Sequence, residues 1–415
     1  MSYANEETGS ADVLWTVPDE NGGVRHARAF AQAEHKFDEE RKGYLRWSGT
    51  YFDMRMPSIL RLCSFSNELD GQYDFVPARD HKASAGASLR WQNDNYIATT
   101  PYDGAMPGDP LNEYWASVFA IDRWQVSKRL VIEGQVRGEY YSGTQVDWAG
   151  RLTGLYSLDA NGDHIVRLSA AKSYRSLAVP GQAKMSQTWP LPSPPFAPGL
   201  FWLNNEPLND PDNEETWTIE TGYRGKIWGP LSLRADGYYQ RYEKLIGIDY
   251  WDDPNPPLPG FSRFFSGLRT LGGANAWGGE VELAAENKTG KASIWYAYQA
   301  MRPDQGDQQN MRACLPAPHK IGATGRLSLP HGFTLSANYR FSESASGVAI
   351  GALSYERSHR LDLNVAKKLG DNAELMLGVN DVLENHNPGA ALATTSVLQH
   401  ETPGRMLFLR FQIQF

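Results

Sequence analysis

Apolar and polar residues alternate with a period of two along much of the chain. From Arg360 to Lys367, Leu361, Leu363 and Val365 fall on one face, and Arg360, Asp362 and Asn364 on the other. Leu375, Leu377 and Val379 oppose Glu374, Met376 and Asn380, while Phe333, Leu335, Ala337, Tyr339 and Phe341 oppose Thr334, Ser336, Asn338 and Arg340. Earlier stretches repeat the pattern. Ile132, Gly134, Val136 and Tyr140 stand against Glu133, Gln135, Arg137 and Glu139; Trp217, Ile219, Thr221 and Tyr223 stand against Thr218, Glu220, Gly222 and Arg224. Leu231, Leu233, Ala235 and Tyr239 likewise oppose Ser232, Arg234, Asp236 and Gln240. Successive side chains of a strand point to opposite faces, so this pattern predicts long strands between two unlike environments. No helical periodicity separates them.

The connections carry a second signal. Tight turns are predicted at Val126–Arg129, Ala160–Asp163, Trp228–Pro230, Lys288–Gly290, Pro330–Gly332 and Gly370–Asn372. Longer connections are predicted at Arg175–Glu214, Ile248–Asn275, Arg302–Pro318, Ser342–Glu356 and Asp381–Gly404, alternating with the short ones from Ser157 onward. Short periplasmic turns alternating with long extracellular loops are the topology of an outer-membrane barrel. The fold expected is therefore all-β: a transmembrane antiparallel β-barrel of about 18 strands, in one domain over residues 1–415. The alternation is weakest over residues 1–91, where the first candidate strand starts near Asp12.

The final strand ends Leu407-Phe408-Leu409-Arg410-Phe411-Gln412-Ile413-Gln414-Phe415. Leu409, Phe411, Ile413 and Phe415 make one apolar face, and a terminal Phe on such a face looks like the signal read by the barrel-assembly machinery; the alternative is an ordinary last strand. Pro403-Gly404-Arg405 before it is similar to the ending of TonB-dependent outer-membrane receptors. Leu375-Met376-Leu377-Gly378-Val379-Asn380-Asp381-Val382-Leu383 resembles their penultimate strand. Asn205-Glu206-Pro207-Leu208, Glu215 and Glu220-Thr221-Gly222-Tyr223-Arg224 resemble an internal segment of the same family, as do Ser173-Tyr174-Arg175-Ser176-Leu177 and Leu315-Pro316-Ala317-Pro318-His319-Lys320. The resemblance covers residues 114–415. It implies a barrel of about 22 strands, normally filled by an N-terminal plug, with energy delivered through a periplasmic partner that grips a short N-terminal box. Met1-Ser2-Tyr3-Ala4-Asn5-Glu6-Glu7 has no apolar core and is not read as a secretory signal peptide. No plug-length segment precedes the first candidate strand, so the chain is expected to be the barrel part with the plug absent. TonB-type coupling is expected only if a plug and box are encoded upstream.

Composition narrows the picture. No apolar run approaches the roughly 18 residues of a membrane-spanning helix, which says nothing against spanning strands. A formal net charge of −8 disfavours nucleic acid as a partner. The 2 cysteines, Cys63 and Cys314, are too few for a disulfide framework, and whether they pair stays open. The 9 histidines are dispersed without ligand spacing, so neither an enzyme nor a cofactor is expected. The binding candidates are aromatics on the longest predicted loop, Trp189, Phe196, Phe201 and Trp202, and on the next, Trp251 beside Tyr250, with Phe261, Phe264 and Phe265. Aromatics on proline-stiffened loops offer contact surface at low entropic cost. One reading is a vestibule for a chelate, corrinoid or oligosaccharide; the other is loop packing or interfacial aromatics. Asp210, Asp212, Glu214 and Glu215, with Asp252 and Asp253, either attract cations or are simply solvated. Arg137, Glu139, Glu220, Arg224, Arg234 and Asp236 are expected to line the lumen. What the resemblance implies is a receptor for a scarce nutrient such as a ferric siderophore, in the Gram-negative outer membrane and among its lipids. The alternatives are a plugless passive channel, a truncated non-functional fragment and a soluble sandwich or propeller.

Overall fold

Strands form where the alternation predicts them. The computed structural model describes residues 2–8, 22–56, 60–98, 110–176, 185–190, 200–206, 213–252, 263–304, 317–344, 353–354, 357–370, 372–384, 388–389, 391–392, 400–401 and 404–413. The N-terminal part runs through β1 (Ser2–Thr8), β2 (Gly22–Lys36), β3 (Lys42–Met56), β4 (Leu60–Phe75) and β5 (His81–Ala98). Next come β6 (Leu111–Gln125), β7 (Leu130–Tyr141), β8 (Gln145–Ser157) and β9 (His164–Arg175). A hairpin of β10 (Met185–Pro190) and β11 (Leu200–Glu206) precedes β12 (Glu214–Trp228), β13 (Leu231–Asp252) and β14 (Arg263–Glu286). The rest comprises β15 (Gly290–Pro303), β16 (His319–Ser328), β17 (Phe333–Ser342), β18 (Leu353–Ser354), β19 (Ser358–Leu369) and β20 (Ala373–Asn380). The last four are β21 (Pro388–Gly389), β22 (Ala391–Leu392), β23 (His400–Glu401) and β24 (Met406–Ile413).

Twenty of these strands belong to one sheet. Seventeen follow one another as an antiparallel meander, β2 to β9, β12 to β17, β19, β20 and β24, and β1 lies along β2. Among the described residues β24 pairs with β20 alone. At one end the connections are short: 37–41, 76–80, 126–129, 158–163, 229–230, 287–289, 329–332 and 370–372. Gly229 (φ +54) and Gly370 (φ +73) adopt the left-handed backbone that such tight reversals need. The long connections, 9–21, 99–110, 176–213, 253–262, 304–318, 343–357 and 381–405, lie at the opposite end, with two short ones at 57–59 and 142–144. The predicted strand near Asp12 falls outside the described residues.

One predicted loop is corrected. Ile248–Asn275 is largely strand: β13 and β14 continue as a hairpin, with Ile246–Asp252 registered against Thr270–Phe264. The register slips between Tyr242 and Ile246, and Lys244 there has φ +55. A bulge of this kind shifts the side-chain period, so the alternation on either side cannot be read as one strand.

Burial is inverted relative to a soluble sheet. Leu335, Val365, Leu377 and Leu409 stand in register across β17, β19, β20 and β24 on the outward face. Leu377 is 51% exposed and Leu409 70%, whereas Ser169 and Asp94 on the inner face are 2% and 3% exposed. A soluble sandwich buries its large apolar side chains between sheets. An apolar outer band around a polar interior is the pattern of a membrane barrel.

Candidate functional site

The inner wall carries the charges that the alternation assigned to the lumen. Arg151 donates to Glu220 (2.9 Å) and to Ser169 (2.9 Å), and Ser169 in turn meets Thr153 (3.0 Å). Arg167 lies 3.1 Å from Asp236 and 3.6 Å from Glu220, and Arg234 is 2.6 Å from Asp236. Arg137 pairs with Glu139, and Arg46 with Asp70 at 2.8 Å. The Arg151–Glu220–Arg167–Asp236–Arg234 chain ties four strands, β8, β9, β12 and β13, across the wall. Gly222 makes it possible. In register it stands between Arg167 and Asp236, and a Cβ there would lie 2.5 Å from the Asp236 carboxylate. Only a residue without a side chain lets the ion pair close across β12. Gly378 plays a similar steric part, since a Cβ on it would meet the Phe408 ring at 2.3 Å.

Towards the loop end, the wall holds a cluster that the sequence did not single out. Gln92 faces Glu113 and Arg90 faces Trp115, which in turn faces Tyr141. Tyr141 is 2% exposed and donates to Glu113, itself 6% exposed. The Trp115 and Tyr141 rings stack at 4.7 Å, and the Arg90 guanidinium sits 4.6 Å over Trp115. Gln92 donates to one oxygen of Asp94 at 2.8 Å; the other oxygen is buried without a partner. Leaving an acceptor desolvated and unpaired costs free energy that a donor on a ligand or a water recovers. Asp94 and Glu113 lie in polar stretches of β5 and β6, where the residues that mark them are Gln92, Asp94, Asn112 and Glu113 inside otherwise regular strands.

The loop aromatics come together through the backbone. β10 and β11 pair so that Trp189 faces Phe201 and Thr188 faces Trp202. β11 then runs parallel to the start of β14, placing Trp202 opposite Arg263 and Leu203 opposite Phe264. Phe265 is registered against Trp251 in β13. The two aromatic clusters read separately in the sequence thus belong to one four-stranded extension at the loop end. Phe196 and Phe261 lie outside the described residues, as do Asp210, Asp212 and Asp253.

Two acidic residues beside the first loop have a structural partner set instead of open solvent. Glu214, 6% exposed, accepts from the Ile246 backbone at 2.7 Å and pairs with Arg175. Glu215 pairs with Lys172 at 3.1 Å and Lys244 at 3.3 Å. Lys172 is held between Trp148 and Trp217, 4.6 and 5.9 Å from their rings. These contacts fix the bulge of β13 on which the long hairpin rests. Arg241 grips Asp304 with two bonds of 2.7 Å just beyond β15, and this guanidinium holds the Asp304 carboxyl below the usual carboxylate range. Cys63 lies 3.6 Å from the Tyr51 hydroxyl, and Cys314 falls outside the described residues. On β24, Leu409, Phe411 and Ile413 share the outward face, 70%, 60% and 46% exposed; Phe415 is not among the described residues.

Comparison with known proteins is consistent with this architecture. The siderophore receptor PirA from Pseudomonas aeruginosa superposes with a TM-score of 0.69 at 11% identity, over 95% of this chain and 64% of that one. The ferric-catecholate import receptor Fiu from K12 E. coli gives 0.68 at 12%, over 95% and 65%. The copper transporter OprC gives 0.66 at 12%, over 95% and 67%. At such identity the likeness shows the fold alone, and the chain spans under two thirds of PirA's length. No curated protein sequence matches it. The family model described as TonB dependent receptor-like, beta-barrel, matches residues 5–382, starting well before the motifs at 114 and ending short of the final strand. The chain therefore belongs to the TonB-dependent receptor-like β-barrel family.

Proposed function

We propose that the chain forms the ligand-conducting wall of an outer-membrane receptor that takes up a scarce nutrient as a metal chelate, ferric siderophores being the leading class. The observation that carries this reading is the joining of the two aromatic loop clusters into one extension at the end where the wall holds Asp94, Glu113, Trp115 and Tyr141. Aromatic surface collects a flat chelate, and the buried acceptors then orient it by hydrogen bonds. The names of PirA, a siderophore receptor, and Fiu, a ferric-catecholate import receptor, support the same class of cargo. The outward apolar band faces membrane lipid, and Leu409, Phe411, Ile413 and Phe415 are the face offered to the barrel-assembly machinery. Energy coupling of the TonB type follows only if a plug and box are encoded upstream.

Tryptophan fluorescence of the refolded chain, titrated with a ferric tris-catecholate, tests the proposal. Saturable quenching is expected, weakened about ten-fold in Trp202→Ala or Trp251→Ala, as for an aromatic anchor. Quenching that never saturates, and is the same in both variants, contradicts it and favours a passive channel.

A further inference from the structure

Among the described residues of the inner face, four glycines lie under the ring that faces them from the neighbouring strand. A Cβ on Gly86 would fall 2.5 Å from the Phe119 ring, and one on Gly278 2.8 Å from that of Tyr238. On Gly322 it would fall 2.2 Å from Trp295, and on Gly378 2.3 Å from Phe408. Covering a strand glycine with a cross-strand ring is a packing device, and alone it says nothing of ligands. The four differ in the residue on the glycine's other side. It is Gln72 beyond Gly86, Gln299 beyond Gly278 and Asn364 beyond Gly378, but Arg340 beyond Gly322.

Around Arg340 the wall is basic. Lys320, two residues before Gly322 on β16, is its diagonal neighbour, and Arg360 stands directly opposite it on β19. Like charges at such cross-strand positions repel. Among the described residues one carboxylate, Asp362, faces these three strands, and it is already taken by Arg360 at 3.0 Å and the Asp381 backbone N–H at 2.9 Å. On the other flank Glu282 and Glu280 lie on β14, one strand beyond Trp295 and Ala297. Lys320, Arg340 and the Trp295 indole N–H have no hydrogen-bond or ion-pair partner among the described side chains. Arg340 is exposed, while Trp295 and Lys320 are half-buried.

We infer that Trp295, Arg340 and Lys320 form a site on the inner wall for a planar aromatic acid. The ring stacks on the indole, the carboxylate meets the Arg340 guanidinium, and Lys320 supplies a second cation. Gly322 sets the spacing. Because it has no side chain, the indole reaches over it to within about one strand spacing, 4.8 Å, of the Arg340 backbone. A ring lying on the indole then holds its acid group within reach of the guanidinium. An aliphatic acid satisfies only the cations, and an aromatic amine only the indole. The site belongs to the wall of β15 to β17 and is independent of the cargo proposed for the loop end.

Saturation-transfer NMR titrations of the full chain, refolded in detergent, test it. The probes are 2-naphthoate, cyclohexanecarboxylate and 2-naphthylmethylammonium, with empty micelles as background. Saturable binding of 2-naphthoate alone is expected. Arg340→Gln weakens it about ten-fold, the loss of a hydrogen bond between charged groups. Trp295→Leu weakens it about five-fold, the loss of an aromatic pair. Arg326→Gln, which removes a cation four residues and roughly 13 Å further along β16, leaves it unchanged. Equal binding of the acid and the ammonium overturns the inference, as does an affinity that Arg340→Gln and Trp295→Leu leave intact. So does an equal loss in Arg326→Gln and Arg340→Gln, which marks a general attraction of anions. If Trp295→Leu lacks the heat-modifiable gel band of the wild type, Arg340→Gln and Lys320→Gln decide. Any of these failures leaves the loop-end proposal standing, because that one is read at Trp202 and Trp251.

Discussion

At the residue scale the wall is tuned by where side chains are withheld as much as by where they are placed. Gly222 illustrates it: the Arg167–Asp236 pair closes over a backbone with no Cβ. Gly222→Ala is expected to cost about 1–3 kcal/mol by overpacking and displacement of that pair. Gly134→Ala, where a Cβ meets nothing within 4 Å, is expected to stay within about 0.5 kcal/mol. The temperature at which the compact gel band is lost reads both; equal losses would remove the steric account. Asp304 gives a pH-dependent counterpart. Its carboxyl is held down by hydrogen bonding to Arg241 in the folded state. A depressed folded value stabilises above the unfolded carboxylate value of about 3.9 and is lost as pH falls through the lower folded one. Hydrogen exchange at residues 301–304, corrected for intrinsic rates, should therefore show protection that is level from pH 7 to about 4 and falls below it. Asp304→Asn should lose that protection at every pH; a wild-type curve with no acid limb would contradict the assignment.

Among the elements, the loop-end extension is the part on which the proposed receptor function depends. Leu203 lies mid-way along β11, between β10 and β14. Leu203→Pro removes a ladder donor and is expected to detach β11. Limited trypsin digestion should then cut at Arg263 several-fold faster with the heat-modifiable band unchanged. Unchanged cleavage would mean that the β11–β14 pairing holds nothing. The strands of the second half of the chain were legible because aliphatics alternate with charge, and the lumen residues Arg137, Glu139, Glu220, Arg234 and Asp236 followed from the same period. β2 to β5 were harder to read because their outward positions include Ala27, Ala29, Ala31, Gly49, Gly71, Ala85 and Ala87, which carry little hydrophobic contrast. The β13–β14 hairpin was hidden by its bulge at Lys244 and by the prolines between its arms. Asp94 and Glu113 stayed hidden for another reason: sequence shows polar residues in a strand, but not that one oxygen of Asp94 ends buried and unpartnered.

For the whole molecule, the account stands on which face meets lipid. The alternation, the connection lengths and the motifs pointed to the barrel family, and the inverted burial gives the physical reason: a belt of exposed Leu, Val, Ile and aromatic side chains outside, ion pairs inside. Neighbouring residues on β7 separate the two faces cleanly. Val136 points outward and is 53% exposed, while Gln135 points inward and donates to Glu133 at 2.8 Å. The decisive measurement is the urea midpoint of the chain in lipid vesicles, with Arg placed at each position in turn. Val136→Arg is predicted to cost about 2–4 kcal/mol, as a charge near the bilayer midplane does, and Gln135→Arg less than about 1 kcal/mol. Small and equal effects at the two positions, as on a water-exposed sheet, would contradict the membrane barrel.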